Sequence, residues 1–106
     1  MTEDELLAGI LDACAVGGWR FHHIRRSDLA LQQGQGGFPD IFALHPERGL
    51  AFVAELKAEH GRLEPLQRDW LEAFDRCGIR ACVLRPNAYD ETVRWLIGPK
   101  LKERRP

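Results

Sequence analysis

The chain has 106 residues, of which 44% are hydrophobic, and a formal net charge of −1. This length suits one compact domain with a single core and is short for two domains. The near-neutral charge argues against a protein that coats nucleic acid through bulk electrostatics. The apolar runs are too short to span a membrane, and the acidic N-terminus is unlike a signal peptide. We therefore expect an intracellular, cytoplasmic protein.

The three cysteines, Cys14, Cys77 and Cys82, lack CxxC spacing and stand among apolar neighbours. A zinc site or a catalytic redox pair would be expected to show a paired arrangement of closely spaced cysteines. We therefore expect three free thiols buried in the core.

Helices and strands alternate along the chain, without internal repeats or linkers. Leucine and isoleucine at helical spacing predict a first helix from about residue 3 to Ala15, ended by Gly17-Gly18. A strand is expected over Trp19 to Ile24. The loop SDLALQQGQGG follows, and its glycines lack the Lys-Ser/Thr of a phosphate-binding P-loop.

Two further strands are expected over Pro39 to His45 and Gly49 to Lys57. The turn HPERG joins them and has the length of a hairpin connection. The next segment, GRLEPLQRDWLEAFDRCG, predicts an amphipathic helix, with Pro65 near its start and Gly78 just past its end.

A short strand at IRACVL and a last helix over Asp90 to Leu96 complete the series of elements. Their order is helix, three strands, helix, strand, helix (αβββαβα). Such alternation predicts an α/β fold in which helices flank a mixed β-sheet. We expect one domain over residues 1–98 and a basic C-terminal tail over residues 99–106.

Charged residues interrupt the third predicted strand, FVAELK, at Glu55 and Lys57. Because side chains alternate along a strand, both charged side chains project from one face of the sheet. The other face of this strand is fully apolar, with Phe52, Ala54 and Leu56. The charged face therefore needs an explanation other than core packing.

If the hairpin is symmetric about Glu47-Arg48, Asp40 lies directly opposite Glu55, with Cβ atoms on the order of 5 Å apart. Two like charges at about 4 Å repel by roughly 4 kcal/mol at an effective dielectric of 20. Three arrangements would offset this repulsion: a proton on one carboxylate, a salt bridge from Lys57, or a hard cation such as Mg²⁺ between the two groups.

Gln67 lies at the edge of the apolar stripe that Trp70, Leu71 and Phe74 form on the second helix. A polar amide at this edge needs a hydrogen-bond partner. If the helix folds back over the charged strand, Gln67 can bond a water that is bound to a metal or poised for attack. The alternative is a glutamine exposed to solvent in the first turn of the helix.

In this order and spacing, GGFPDIF, FVAELK, GRLEPLQRDWLEAF and a closing strand ending in LRP resemble the virus-type replication-repair nuclease (VRR-NUC) domains of the PD-(D/E)xK superfamily. The likeness covers most of the chain and includes the opening Glu3 and Gly18-Trp19, with His23 four residues after the tryptophan. One departure is Glu64, where such domains carry a Ser or Thr that caps the helix.

The resemblance implies a restriction-endonuclease-like core and a metal-dependent endodeoxyribonuclease that acts on DNA in replication, repair or recombination. By this likeness, Asp40 and Glu55 would hold one or two Mg²⁺ or Mn²⁺ ions. Lys57 would orient the attacking water and stabilise the charge that develops on the phosphate. Gln67 would support the site.

The same resemblance implies further site residues. Glu3 would be the acid of the first helix that approaches the metal, with Glu5 as the alternative. Four residues are candidate phosphate contacts by charge and by analogy: Arg25, Arg26, Arg62 and His23. For His23, a histidine packed in the core is the alternative.

The resemblance also implies a two-fold homodimer with two active sites, without membrane attachment or an organic cofactor. Such a dimer suits a branched DNA, for example a four-way Holliday junction. The alternative function is a nucleic-acid-binding or assembly module that keeps the nuclease fold but has weak catalytic activity.

Overall fold

The computed structural model describes residues 1–24 and 34–103, and side chains as far as residue 98. Within these ranges the elements are α1 (Glu3–Val16), β1 (Arg20–His23), β2 (Ile41–His45), β3 (Leu50–Leu56), α2 (Pro65–Arg76), β4 (Arg80–Leu84) and α3 (Tyr89–Glu103). The predicted order αβββαβα is confirmed. Helix α3 crosses the boundary expected at residue 98, and the division into domain and tail stays a prediction. None of the helices described is long and apolar enough to cross a membrane.

The four strands form one mixed sheet in the order β1-β2-β3-β4. Strand β2 pairs antiparallel with both β1 and β3, whereas β4 pairs parallel with β3. Helix α2 supplies the crossover connection that a parallel pair requires. Strand β3 is therefore central, and it is buried more completely than β1 or β4.

The hairpin of β2 and β3 has the predicted register. Ile41 pairs with Ala54, which is the pairing expected for a hairpin symmetric about Glu47-Arg48. Gly49 ends the turn with a φ of 65°, a left-handed conformation that glycine adopts without steric cost. Side chains of the two strands therefore face the sides expected from the sequence.

Helices α1 and α3 cover one face of the sheet. The core on this face includes Leu6, Ile10, Cys14, Ile41, Phe52, Ala54, Leu56 and Leu96. Helix α2 packs against β3 and β4 on the opposite face, here called the α2 face. An aromatic cluster on the α2 face has successive ring centroids 5.0 to 6.0 Å apart and consists of Phe38, Phe42, Trp70 and Phe74.

Helix α3 extends further than predicted, through Pro99 to Glu103 instead of ending at Leu96. A proline inside a helix leaves the carbonyl four residues earlier without its usual N–H partner. That carbonyl, of Trp95, accepts a hydrogen bond from Arg48 Nη1 at 3.3 Å. The predicted end of the helix at Leu96 was therefore wrong, and Arg48 supplies a donor to the carbonyl that Pro99 leaves without its helical partner.

The three thiols differ in exposure. Cys14 is buried and Cys82 is half-buried, but Cys77 is exposed just beyond the last residue of α2. The expectation of three buried thiols was therefore wrong for Cys77, because the helix ends before it and solvent reaches its side chain. Burial raises the pKa of the Cys14 thiol to about 12. Burial also raises the pKa of Cys82 to about 11, against a smaller opposing effect of Arg80.

We expect iodoacetamide at about pH 8 to modify Cys77 and to spare Cys14 and Cys82 in the folded protein, because only the thiolate reacts. Intact-mass spectrometry should show a single adduct under native conditions and three adducts in denaturant. The variant Cys77→Ser should show none before unfolding. Rapid native modification of Cys14 or Cys82 would contradict the burial described above.

Candidate active site

Two acidic residues lie opposite each other across the β2–β3 hairpin, on the α2 face. Asp40 directly precedes β2, and Glu55 is the last residue but one of β3. The pairing of Ile41 with Ala54 places Asp40 opposite Glu55, as predicted. Because side chains alternate along a strand, the two carboxylates lie on the face opposite the α1–α3 core.

Glu55 is completely buried, with 0% of its surface exposed, on the central strand. Its Oε2 accepts a hydrogen bond from Gln67 Nε2 at 2.8 Å. The Lys57 ammonium lies 3.7 Å from the same oxygen. A buried charge is strongly unfavourable unless opposite charge and hydrogen bonds compensate it. The two donors therefore hold a buried carboxylate where an apolar residue would normally pack.

The carboxylate of Asp40 is fixed by the neighbouring strand. Its Oδ2 accepts the backbone N–H of Leu56 at 2.8 Å. The backbone carbonyl of Asp40 in turn accepts the N–H of Ile24 at 3.0 Å. Hydrogen bonds to β3 and to the residue that directly follows β1 thus orient Asp40 at the end of the ladder.

Gln67 uses both ends of its amide. Its Oε1 accepts the backbone N–H of Glu64 at 2.9 Å, while its Nε2 donates to Glu55. The first bond needs a carbonyl oxygen and the second needs an N–H, so the orientation of the amide is determined by its partners. Only 6% of Gln67 is exposed, so the solvent-exposed alternative is wrong.

Gln67 contacts the buried carboxylate directly. Its Nε2 donates to Glu55, and a bond from the same amide to a metal-bound or attacking water stays a prediction. It also caps α2 from within, because it accepts the N–H of Glu64. This bond satisfies the backbone N–H of Glu64, which occupies the position where the resemblance predicts a capping Ser or Thr. Gln67 therefore ties the start of α2 to the central strand.

Of the three arrangements expected to offset the repulsion of the carboxylates, the ion pair between Lys57 and Glu55 is present. The side chain of Lys57 is only 11% exposed, so bulk water screens this pair weakly. Asp40 accepts a backbone N–H and makes no ion pair among the residues described.

The carboxylate pair fits a small hard cation. Mg²⁺ typically uses one or two carboxylates and completes its shell with waters and substrate phosphates. Within the described part of the chain, Oδ2 of Asp40 accepts a hydrogen bond and Oδ1 accepts none. Across residues 1–24 and 34–98, no three His, Cys, Asp or Glu side chains are grouped closely enough to hold a metal. Asp40 and Glu55 are therefore the two carboxylates that we consider as ligands.

The acids of the first helix are not brought to this pair. Glu3 is exposed in the first turn of α1 and is not grouped with Asp40 and Glu55. Glu5 accepts the backbone N–H of Thr2 at 2.7 Å, and this hydrogen bond lowers the pKa of its carboxyl group. The role of Glu3 as a metal ligand stays a prediction, and the capping bond gives Glu5 a different role.

The candidate phosphate contacts fall in different places. Arg62 is exposed between β3 and α2, on the segment that leads from Lys57 to Gln67. Arg25 and Arg26 lie outside the described residues. His23 pairs with Ile41, a core residue, which places it on the face opposite Asp40. Contact of Arg62 and His23 with DNA stays a prediction.

The segment leading to Asp40 is docked on α2. Trp70 Nε1 donates a hydrogen bond to the carbonyl of Gly36 at 2.9 Å. Gly37 has a φ of 93°, and a Cβ added to it would lie 2.6 Å from the carbonyl carbon of Leu66. Glycine is therefore required where this segment crosses the start of the helix.

Gly37→Ala is expected to destabilise the fold by about 3 kcal/mol, because it combines a strained positive φ with a backbone clash. Thermal or urea unfolding measures the effect. The matched control is Gly36→Ala, whose added Cβ would lie 3.7 Å from Leu66 Cδ1, an ordinary contact distance. Equal stability of the two variants would contradict the close approach at Gly37.

One residue that the motif reading did not single out also reaches this region. Arg85 follows β4 directly, and its Nη1 donates to carbonyls of the turn that connects β3 to the segment before α2. The sequence signal for Arg85 is the motif LRP at the end of β4, and this motif does not indicate which groups the arginine bonds.

The family and the fold are shown by comparison with known proteins. Residues 5–88 match the model of the VRR-NUC domain. Over 58 residues the chain is 38% identical to a Fanconi-associated nuclease 1 homolog of Caenorhabditis elegans. The matched segment is 55% of this chain, but the chain spans only 7% of the length of that relative.

Two solved structures share the fold over most of both chains. A VRR_NUC domain superposes with a TM-score of 0.67 and 20% identity, covering 98% of each chain. A VRR_NUC domain protein superposes with a TM-score of 0.63 and 16% identity, covering 90% of this chain and 86% of the other. With the family match over residues 5–88, these findings establish that the chain belongs to the VRR-NUC family of nuclease domains.

Proposed function

We propose that the protein is a metal-dependent endonuclease that hydrolyses phosphodiester bonds of DNA inside the cell, in replication, repair or recombination. The observation that carries this proposal is the buried carboxylate Glu55, placed opposite Asp40 with the Lys57 ammonium 3.7 Å from its Oε2. Membership of the VRR-NUC family and the likeness to a protein named as a nuclease also support it.

Asp40 and Glu55 would hold the divalent ion, Mg²⁺ or Mn²⁺. Such an ion, when bound, polarises the phosphoryl oxygen and lowers the pKa of water. The chain prepares this site because backbone and amide donors already orient both carboxylates. Hydrolysis of a phosphodiester is redox-neutral, so we propose that no organic cofactor takes part.

Lys57 contributes positive charge beside the carboxylates. Phosphodiester hydrolysis adds negative charge to the phosphate as water attacks, and a fixed cation stabilises that charge. The ammonium is held by Glu55 and is largely shielded from solvent, which strengthens its electrostatic effect. Gln67 positions Glu55 and does not need to touch the substrate.

The proposed substrate is branched DNA, bound by a homodimer. One small domain has little surface with which to read a long sequence directly, which favours recognition of DNA shape. Two sites related by two-fold symmetry suit the symmetric strands of a four-way junction. A catalytically weak binding or assembly module is the second candidate, and the cleavage assay separates the two.

Incubation of the purified protein with labelled four-way junction, flap and linear duplex in Mg²⁺ tests the proposal. We expect strand cleavage of the branched substrates at least about tenfold faster than that of the duplex, and no cleavage with a chelator. Asp40→Asn is the control, since equal cleavage by this variant indicates a contaminating nuclease. Binding without cleavage in both Mg²⁺ and Mn²⁺ would favour the binding module.

Analytical ultracentrifugation tests the dimer. A homodimer should sediment as such at micromolar protein concentration, alone or on junction DNA. A strict monomer in both conditions would remove the basis for symmetric junction resolution, while cleavage of flap DNA could still hold.

A further inference from the structure

Arg85 holds the turn that follows Lys57. Its Nη1 lies 2.9 Å from the carbonyl oxygen of Ala58, 3.3 Å from that of Glu59 and 2.7 Å from that of Gly61. Three carbonyls of one four-residue turn thus converge on a single guanidinium nitrogen. This arrangement concentrates partial negative charge at a half-buried position, and the cation of Arg85 neutralises it.

The same turn begins just after the end of β3, the strand that carries Glu55. In the parallel ladder Leu56 pairs with Leu84, and the N–H of Lys57 donates to the carbonyl of Leu84 at 3.0 Å. Lys57 and Arg85 therefore lie side by side, each directly after the end of one of two neighbouring strands. In this register their side chains leave the sheet on the same side.

The turn also needs an external support. Its backbone makes one internal hydrogen bond, from the N–H of Gly61 to the carbonyl of Ala58 at 3.0 Å. Among the side chains described, Arg85 supplies the hydrogen bonds to the turn carbonyls. Without the guanidinium, carbonyls that converge on one half-buried point would lose their common donor.

We propose that Arg85 is a positioning residue of the active site: by holding the Ala58–Gly61 turn, it fixes the end of β3 from which Lys57 reaches Glu55. This inference rests on the proposed nuclease function. Arg85 acts through the backbone, because its hydrogen bonds go to the turn and not to the carboxylates. An arginine suits this role better than a lysine, since the guanidinium is planar, stays charged and offers several donors.

The catalytic test compares Arg85→Ala and Arg85→Lys with the wild type in steady-state cleavage of junction or flap DNA. We expect kcat of Arg85→Ala to fall about 10- to 100-fold, as for other groups that orient active-site residues, with KM changed less than about twofold. Arg85→Lys should restore only part of kcat, and added guanidinium salt should partly rescue Arg85→Ala. A rise in KM alone would overturn the inference by indicating direct DNA contact.

The matched control is Arg80→Ala, which removes an exposed arginine at the other end of the same strand. This variant should cleave at the wild-type rate. Equal losses of kcat in both variants, accompanied by lower melting temperatures, would overturn the inference by indicating general destabilisation.

Hydrogen exchange tests the same inference without catalysis. The amides from Lys57 to Gly61 should exchange at least about tenfold faster in Arg85→Ala than in the wild type. Their exchange rates in Arg80→Ala should equal those of the wild type. Unchanged exchange in Arg85→Ala overturns the inference, whatever the activity. If the turn loosens as expected but the wild type cleaves no DNA, the proposed nuclease function fails and the hold of Arg85 on the turn stands.

Discussion

Replacing Glu55 with glutamine is expected to lower the rate of DNA cleavage by about a thousandfold or more. The substitution keeps the shape of the side chain but removes the negative charge that a divalent ion requires. The fold should survive it, because a neutral amide is easier to bury than a carboxylate. The substitution also leaves the largely buried Lys57 ammonium without the carboxylate 3.7 Å away, which costs stability. We therefore expect a lower melting temperature in the absence of metal, together with the loss of activity.

Thermal unfolding with and without Mn²⁺ separates metal binding from catalysis. A ligand at 100 times its Kd stabilises the protein that binds it by about 2.7 kcal/mol. We expect this Mn²⁺-dependent rise in melting temperature in the wild type and its loss in Glu55→Gln. The control is Glu72→Gln, an exposed carboxylate on α2, which should retain both the shift and the activity. Cleavage by Glu55→Gln at the wild-type rate would contradict the assignment of Glu55.

The opposition of the two carboxylates could be predicted because it depends on local rules. Alternation along a strand sets which side chains share a face, and a short turn sets the register of a hairpin. Pro46 and Gly49 mark that turn in the sequence, and the observed pairing of Ile41 with Ala54 follows from it. Asp40 and Glu55 were therefore placed correctly without knowledge of tertiary contacts.

Contacts between distant elements could not be predicted in the same way. The bond from Gln67 to Glu55 depends on how α2 docks against β3, and periodicity indicates only that the amide lies near the buried face. Arg48 bonds the carbonyl of Trp95 across the molecule, and the continuation of α3 through Pro99 accompanies this contact. No pattern within α3 itself identifies that donor.

The hold of Arg85 on the turn after Lys57 was missed for a related reason. Its acceptors are backbone carbonyls, which every sequence contains, so no residue type in the turn marks them. The face of His23 was set by its pairing with Ile41, and the exposure of Cys77 by the end of α2. In each case the position of the side chain depended on strand pairing, on a tertiary contact or on where a helix ends, and none of these is marked by a local sequence pattern.

Lys57→Met is expected to reduce cleavage about 100- to 1,000-fold while leaving metal binding intact, because it removes a cation that stabilises developing charge and leaves both carboxylates. Methionine fills much of the volume of the lysine stem, so the buried position should remain packed. Single-turnover cleavage in saturating Mg²⁺ measures the rate of the chemical step. Mn²⁺-dependent thermal shifts on the same protein measure binding at the carboxylates.

The comparison with Glu55→Gln makes this test specific, since Lys57 directly follows β3 and lies two positions after Glu55, on the same side. Both variants should lose cleavage, but only Glu55→Gln should lose the Mn²⁺ shift. Lys57→Arg should recover activity incompletely, because a planar guanidinium cannot reproduce the geometry of a compact ammonium. Should Lys57→Met lose the Mn²⁺ shift as fully as Glu55→Gln does, the lysine would act by orienting Glu55 and not on the reacting phosphate.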